Sequence, residues 1–244
     1  MSWLPPVVIL DLDDTIINFT GMAEACWRTI CDEQGPVLGL DGAQLHAALM
    51  TERVAFWADP ESNRFGRRNL VEASRLIVAR AFAAVGAGSE EQAAELSQLY
   101  TARRHDLIHL FPDAISTIET LRARGHRLAM ITNGSAESQR AKIVRFDLAR
   151  HFDAIVVEGE FGIGKPDERV YRHALSQLDV QPSDALMAGD DLERDVLGPQ
   201  RVGMRGVWVD RSGAFLAKAF PATSHERPFR VIQQLAELLA FEPH

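Results

Sequence analysis

The order of hydrophobic and polar residues changes twice along the chain. Residues 7–10 are four consecutive apolar residues that run directly into three carboxylates within four positions. This pattern is typical of a strand buried on both faces whose carboxyl end opens to solvent. From residue 18 to about residue 110, apolar residues recur at helical spacing and Gly and Pro interrupt them. The second pattern predicts a block of helices with no convincing strand.

From residue 111 onward, the pattern predicts alternating helices and strands. The predicted strands cover residues 127–131, 154–157, 185–188 and 206–210, and a closing amphipathic helix is predicted near residues 228–240. Alternation of this kind is typical of a parallel sheet with right-handed crossovers. We therefore expect an α/β protein with a doubly wound, Rossmann-like parallel-sheet core. Residues 1–17 and 111–244 would form this core, and residues 18–110 would form an inserted all-helical domain.

Composition narrows the expected partners and compartment. The net charge of −8 and the pI near 5.5 argue against nucleic acid or an anionic membrane as the main partner. The chain has no run of about 18 apolar residues that would predict a membrane-spanning helix, and its N-terminus lacks the basic segment of a signal peptide. Cys26 and Cys31 would face different sides of a helix, so we expect reduced thiols and a cytoplasmic protein, either a monomer or a homodimer.

Polar residues follow three of the predicted strands at the points where the strands end. Because the carboxyl ends of parallel strands meet at one edge of a sheet, these residues should converge there with one lysine from a crossover loop. Two aspartates spaced two residues apart should also point to the same side and repel unless a cation relieves them. Carboxylates, a hydroxyl, an amide and a lysine together suit metal-assisted phosphoryl transfer. The residues are Asp11, Asp13, Thr132, Asn133, Lys165, Asp190 and Asp191.

In their order along the chain, these residues resemble four motifs of the haloacid dehalogenase-like (HAD) hydrolase superfamily. The motifs cover the whole α/β part, and each alone is a weak signal. They are Asp11-Leu12-Asp13-Asp14-Thr15, Ile131-Thr132-Asn133-Gly134, Lys165 within Gly164-Lys165-Pro166-Asp167, and Gly189-Asp190-Asp191-Leu192-Glu193-Arg194-Asp195. The helical block resembles the all-helical cap that one class of the superfamily carries between its first and second motifs.

The resemblance implies a role for each matching residue. Asp11 would attack phosphorus and become an aspartyl-phosphate, and Asp13 would protonate the leaving oxygen and then deprotonate the attacking water. Thr132 and the backbone around Asn133 would hold phosphate oxygens. Lys165 would neutralise both the phosphate and the nucleophile.

The resemblance also implies a Mg²⁺ cofactor. Asp11, Asp190 and the backbone carbonyl of Asp13 would be its protein ligands, and Asp195 and Asp191 would support them. Asp191 and Asp14 are the motif members that most readily fit a structural role instead.

Selection of the leaving group would fall to the helical block. An arginine there could pair with a second anion of the substrate, and an aromatic ring could stack on a base. For Arg67 and Arg68 the alternative is a solvated helix face. The candidates are Asn18, Phe19, Arg53, Trp57, Arg64, Arg67 and Arg68.

The function we expect is hydrolysis of a small phosphomonoester, of the sugar phosphate, nucleoside monophosphate or flavin mononucleotide type. Dehalogenases of the superfamily typically lack the second aspartate of the first motif and the metal, whereas Asp13 and Asp190 are both present here. Phosphonate cleavage needs a cap lysine, and residues 18–110 contain none. A phosphomutase shares every motif and stays open. The competing class is a non-catalytic phosphate-binding protein, although a receiver-like module of that class would not carry the inserted helical block.

Overall fold

The computed structural model describes residues 4–213 and 227–240. Contacts divide the chain into two compact units. One unit comprises Met1–Asn18 and Leu110–His244, and the other comprises Phe19–His109. We call them the sheet unit and the helical unit, and each is described by itself.

A six-stranded parallel sheet organises the sheet unit, with strand order β5-β4-β1-β6-β7-β8. Its strands are β1 (Val7–Leu10), β4 (Arg127–Thr132), β5 (Ala154–Val157), β6 (Ala185–Gly189), β7 (Arg205–Val209) and β8 (Arg230–Ile232). β1 lies between β4 and β6, and all four of its residues are buried. The apolar run at residues 7–10 is therefore a central strand covered on both faces, and the predicted doubly wound α/β class is confirmed.

Helices connect the strands. They are α6 (Ala114–Ala123), α7 (Ala136–Arg145), α8 (Glu158–Phe161), α9 (Glu168–Gln177) and α10 (Gly198–Arg201), with 3₁₀ turns at Ala149–His151 and Pro182–Asp184 and a π-helix at Leu192–Leu197. Side-chain caps set two of the starts: Ser135 accepts from the N–H of Ser138, and Asp167 accepts from the N–H of Arg169. Each of these helices consequently begins close to the loop that carries a predicted motif.

The prediction for the tail was wrong. Residues 228–240 do not form one amphipathic helix, because β8 pairs with β7 and only a 3₁₀ helix, Leu235–Ala240, follows it. The N–H of Asp210 donates to the carbonyl of Ile232, and the N–H of Phe229 donates to the carbonyl of Gly206. The backbone groups along the outer side of β7 need hydrogen-bond partners, and the apolar, β-branched Val231-Ile232 step supplies them as a strand.

Five helices make up the helical unit. They are α1 (Gly21–Val37), α2 (Gly42–Ala58), α3 (Pro60–Arg68), α4 (Leu70–Val85) and α5 (Glu90–Leu107). The four long helices pack around one core, α1 against α2 and α5, and α4 against α2 and α5. Asp41, Asp59 and the capping box of Ser89 and Gln92 fix where α2, α3 and α5 begin.

Short strands mark the two ends of the helical block, where no strand was predicted. β2 (Ile17–Asn18) and β3 (His109–Leu110) form a two-stranded sheet. Two residues are too few for a period-two pattern to be recognised in the sequence.

Cys26 and Cys31 are buried and free, as expected. Within residues 4–213 and 227–240, no helix has both the length and the apolar character needed to cross a membrane.

Candidate active site

Three neighbouring strands of the sheet end at the candidate site. Asp11 follows β1, Thr132 ends β4, and Asp190 follows β6. Since β4 and β6 both pair with β1 in parallel register, their carboxyl ends are adjacent. The N–H of Asp11 also donates to the carbonyl of Ala188 at 3.0 Å, which ties the residue to β6. Asp11, Thr132 and Asp190 are therefore neighbours because of the order of their strands.

Lys165 lies between two carboxylates. Its Nζ donates to Oδ1 of Asp11 and to Oδ1 of Asp195, both at 2.6 Å, and all three side chains are buried. Burial by itself would lower the pKa of Lys165, but the charges and hydrogen bonds of Asp11 and Asp195 raise it well above its usual value. Burial raises the pKa of Asp11 to about 7, against the opposing charge of Lys165. Lys165 thus stays charged and holds Asp11 in one orientation.

Asp11, Asp190 and Asp195 form a compact group of carboxylates. Each offers an oxygen, and these oxygens lie within 4.8 Å of one another. Burial, together with the charges of Asp11 and Asp195, raises the pKa of Asp190 to about 9. Three carboxylates this close cannot all be ionised near neutral pH unless a cation balances them. Oxygen donors that repel one another suit a hard divalent cation, so the residues present fit Mg²⁺.

Asp195 reaches this group from the π-helix Leu192–Leu197. Its Oδ2 accepts from the N–H of Asp191 at 3.0 Å. The approach requires a glycine at position 189, where a Cβ atom would lie 2.3 Å from Oδ2 of Asp195. The side chain of Asp191 instead accepts from the N–H of Arg194 at 2.9 Å and caps the helix. Asp195 therefore belongs to the carboxylate group, whereas Asp191 has a structural contact of its own.

The side chain of Asn133 holds the loop that carries Lys165. Its Nδ2 donates to the carbonyl of Lys165, and its Oδ1 accepts from the N–H of Lys165, both at 2.8 Å. The N–H of Gly134 donates to the buried carboxylate of Glu158 at 3.0 Å. A Cβ atom at Gly164 would lie 2.8 Å from Oδ1 of Asn133, so this loop needs its glycine. The Asn133 side chain thus positions the loop that carries the lysine.

Asp13 has a different environment from Asp11. β1 ends at Leu10, so both residues lie beyond the strand and its period-two rule does not govern them. Nζ of Lys142 donates to both carboxylate oxygens of Asp13 at 2.8 Å, and Nε2 of Gln139 donates to Oδ2 at 3.0 Å. Nε2 of Gln139 also donates to the hydroxyl of Thr132. The two aspartates of the first motif are therefore bound by two different lysines.

No role in the chemistry was predicted for Lys142 and Gln139 from the sequence. Both are buried on α7, where they are three residues apart and lie on one face. One signal in the sequence was the scarcity of lysine. The chain has three lysines, and one of them, Lys142, lies on the predicted helix that follows the second motif. A buried lysine is rare unless it is paired.

The aromatic candidates of the helical unit are held by neighbours within that unit. The guanidinium of Arg104 lies 3.5 Å from the ring centre of Phe19. The Trp57 ring meets Phe56 edge-on, with centres 5.3 Å apart. These contacts orient both aromatic rings.

The remaining candidates differ in exposure. Arg64 and Arg67 lie on the short helix α3, where Arg64 and Arg68 are exposed and Arg67 is partly buried. Arg53 on α2 and Asn18 on β2 are partly buried. α3 thus presents several cations on one short element, which suits an anion-contacting role.

Comparison with known proteins gives the class to which this site belongs. A family model described as haloacid dehalogenase-like hydrolase matches residues 5–203. The phosphoserine phosphatase of Thermus thermophilus is 32% identical over 84% of this chain and 88% of that protein. The N-acylneuraminate-9-phosphatase of Rattus norvegicus is 35% identical over 64% of this chain and 60% of that protein. The solved HAD-hydrolase YfnB of Bacillus subtilis, bound to magnesium, matches 96% of both chains with a TM-score of 0.71 at 22% identity.

The fold and the carboxylate–lysine site define a hydrolase of the α/β class. The chain belongs to the haloacid dehalogenase-like hydrolase family. The predicted membership is confirmed, and with it the prediction that the protein is an enzyme.

Proposed function

We propose that this protein is a Mg²⁺-dependent phosphomonoester hydrolase that works through an aspartyl-phosphate on Asp11. One observation carries the proposal. A buried carboxylate, held by Lys165 at 2.6 Å, lies in a group of three carboxylates, while Asp13 is bound separately by Lys142. A nucleophile and an acid–base group with different partners are what a two-step displacement requires.

The residues divide the chemistry as follows. Asp11 forms a bond to phosphorus as the ester P–O bond breaks, and Asp13 gives its proton to the leaving oxygen. Water then attacks phosphorus, Asp13 takes its proton, and the bond from Asp11 to phosphorus breaks. Lys165 offsets the negative charge around phosphorus throughout. Asp11, Asp190 and Asp195 would hold Mg²⁺, with the Asp13 carbonyl in support, and the ion would supply further positive charge at the phosphoryl oxygens.

The helical unit, Phe19–His109, is proposed to be the cap that selects the leaving group. Closing a site excludes bulk water and completes the contacts to the substrate. The two relatives named above are called after phosphoserine and an N-acylneuraminate 9-phosphate, and both esters carry a carboxylate besides the phosphate. An arginine from α3 could pair with such a second anion. Small anionic metabolite phosphates are therefore the first substrates to test, followed by sugar phosphates, nucleoside monophosphates and flavin mononucleotide.

The test measures release of inorganic phosphate from this panel, and from p-nitrophenyl phosphate, in Mg²⁺ and in EDTA. We expect turnover in Mg²⁺, loss of turnover in EDTA, and no turnover by Asp11→Asn. Asp184→Asn, which changes an exposed aspartate, is the matched control. Activity of Asp11→Asn, or full activity in EDTA, would contradict the proposal. Formation of an isomeric phosphate without free phosphate would indicate a mutase, and halide release from a 2-haloacid would indicate a dehalogenase.

A further inference from the structure

A second buried lysine binds the candidate acid–base group. Lys142 is 3% exposed, and its Nζ donates to both oxygens of Asp13 at 2.8 Å and to Oε1 of Gln139 at 2.7 Å. An ammonium group carries three N–H donors, and these contacts direct them at Asp13 and Gln139. The arrangement leaves the direction of the Asp13 carboxylate little freedom.

Gln139 contacts both members of the Asp13–Lys142 ion pair. Because its Oε1 accepts from Lys142, its Nε2 must face Asp13 and Thr132, to which it donates. The hydroxyl of Thr132 belongs to β4, and Gln139 and Lys142 belong to α7. The position of the Asp13 carboxylate is thus fixed relative to strand β4 of the sheet as well as to helix α7.

Stability alone is a poor explanation for this contact. Burying an ammonium group carries a large desolvation cost, and a hydrophobic replacement of similar volume is often neutral or stabilising. The acceptor, moreover, is not an interior group, because the Asp13 side chain remains 23% exposed while that of Lys142 is 4% exposed. The lysine is buried behind a carboxylate that solvent and ligands can still reach. Such a contact makes sense if the direction of the carboxylate matters.

We propose that Lys142 and Gln139 are positioning residues that aim Asp13 at the water that releases phosphate from Asp11. The inference rests on the proposed function, since it concerns the second step of that reaction. In this step a water oxygen bonds to phosphorus, its proton goes to Asp13, and the bond between Asp11 and phosphorus breaks. A base must lie within hydrogen-bond reach of that water, and a displacement of about 1 Å costs roughly 100-fold in rate.

The test is Lys142→Met, which keeps an unbranched side chain one atom shorter than lysine and removes its donors. p-Nitrophenol leaves readily, so the first step needs little from Asp13. We expect kcat on p-nitrophenyl phosphate to fall about 100-fold, with a parallel fall in KM, so that kcat/KM stays within about threefold. A stopped-flow trace should show a burst of p-nitrophenol equal to the enzyme concentration, and acid quenching should trap phosphoenzyme. Gln139→Met should show the same pattern more weakly, and it is the second variant if Lys142→Met does not fold.

A double mutant separates positioning from structural support. If Lys142 acts only through Asp13, then Lys142→Met combined with Asp13→Asn should be no slower than Asp13→Asn alone. Arg140 lies on α7 with Lys142, and Arg140→Met, which removes an exposed ion pair with Glu160 of α8, is the control and should change neither kcat nor the burst. A proportional loss in kcat/KM without a burst, or additive losses in the double mutant, overturns the inference. An inactive wild-type protein or an active Asp11→Asn variant would instead overturn the proposed function.

Discussion

Replacing Lys165 by Met tests how much the repulsion between the active-site carboxylates destabilises the folded protein. The change removes a buried charge that makes two hydrogen bonds of 2.6 Å, to Asp11 and Asp195. What remains is a group of carboxylates whose oxygens lie within 4.8 Å of one another. The physical question is whether Asp11 and Asp195 can remain buried in this group without their lysine.

The expected loss of stability follows from the burial of the Lys165 ion pairs. Removing one partner of a buried ion pair typically destabilises a protein by about 3–5 kcal/mol. For a chain of this size, about 1 kcal/mol shifts Tm by about 2–4 °C, so the metal-free variant should melt roughly 6–20 °C lower. Mg²⁺ at about 100 times its Kd restores about 2.7 kcal/mol, or roughly 5–10 °C. The loss should shrink as the pH falls through about 9 and then through about 7, because Asp190 and then Asp11 take up protons.

The assay is thermal unfolding followed by circular dichroism, in EDTA and in Mg²⁺, at about pH 5 and about pH 8. Arg172→Met is the matched control, because it removes an exposed ion pair with Glu168 on α9. It should shift Tm by less than about 2 °C. If the Tm of Lys165→Met lies within about 2 °C of the wild type at about pH 8 in EDTA, then repulsion between the carboxylates does not destabilise the fold. In that case our interpretation of Lys165 is wrong.

Three further results are expected. Asp11→Asn should bind Mg²⁺ more weakly and lose turnover while keeping its circular dichroism spectrum; a spectrum of unfolded protein would mean that Asp11 is needed for folding. Because folding raises the pKa of Asp11 and Asp190, the metal-free protein should lose stability as the pH rises from about 4 through about 9, and Mg²⁺ should bind more tightly over the same range. Calorimetry in two buffers measures the released protons, and their absence would contradict the shifts. Arg64→Ala should change selectivity among natural esters more than kcat/KM on p-nitrophenyl phosphate, and uniform losses would indicate a structural role.

Much of this protein is determined by its sequence alone. The apolar run at residues 7–10 identifies a strand buried on both faces, and the strand–helix alternation after residue 111 identifies a parallel sheet. Once the sheet is parallel, the residues that follow β1 and β6 must lie at one edge, whichever side chains pack behind them. The sequence alone therefore predicts that Asp11, Asp190 and Lys165 lie together.

Only the tertiary structure decided which group binds which. Asp11 pairs with Lys165, and Asp13 pairs with Lys142. This choice of partners depends on how α7 packs against the sheet, and no local sequence pattern encodes that packing. The same holds for Asp195, which a π-helix carries past Gly189, and for Asn133, whose side chain holds a backbone 32 residues away. β8 was missed because three residues complete an existing edge rather than form an element of their own. Local propensity selects the type of element, whereas contacts between distant segments select the partner of each side chain.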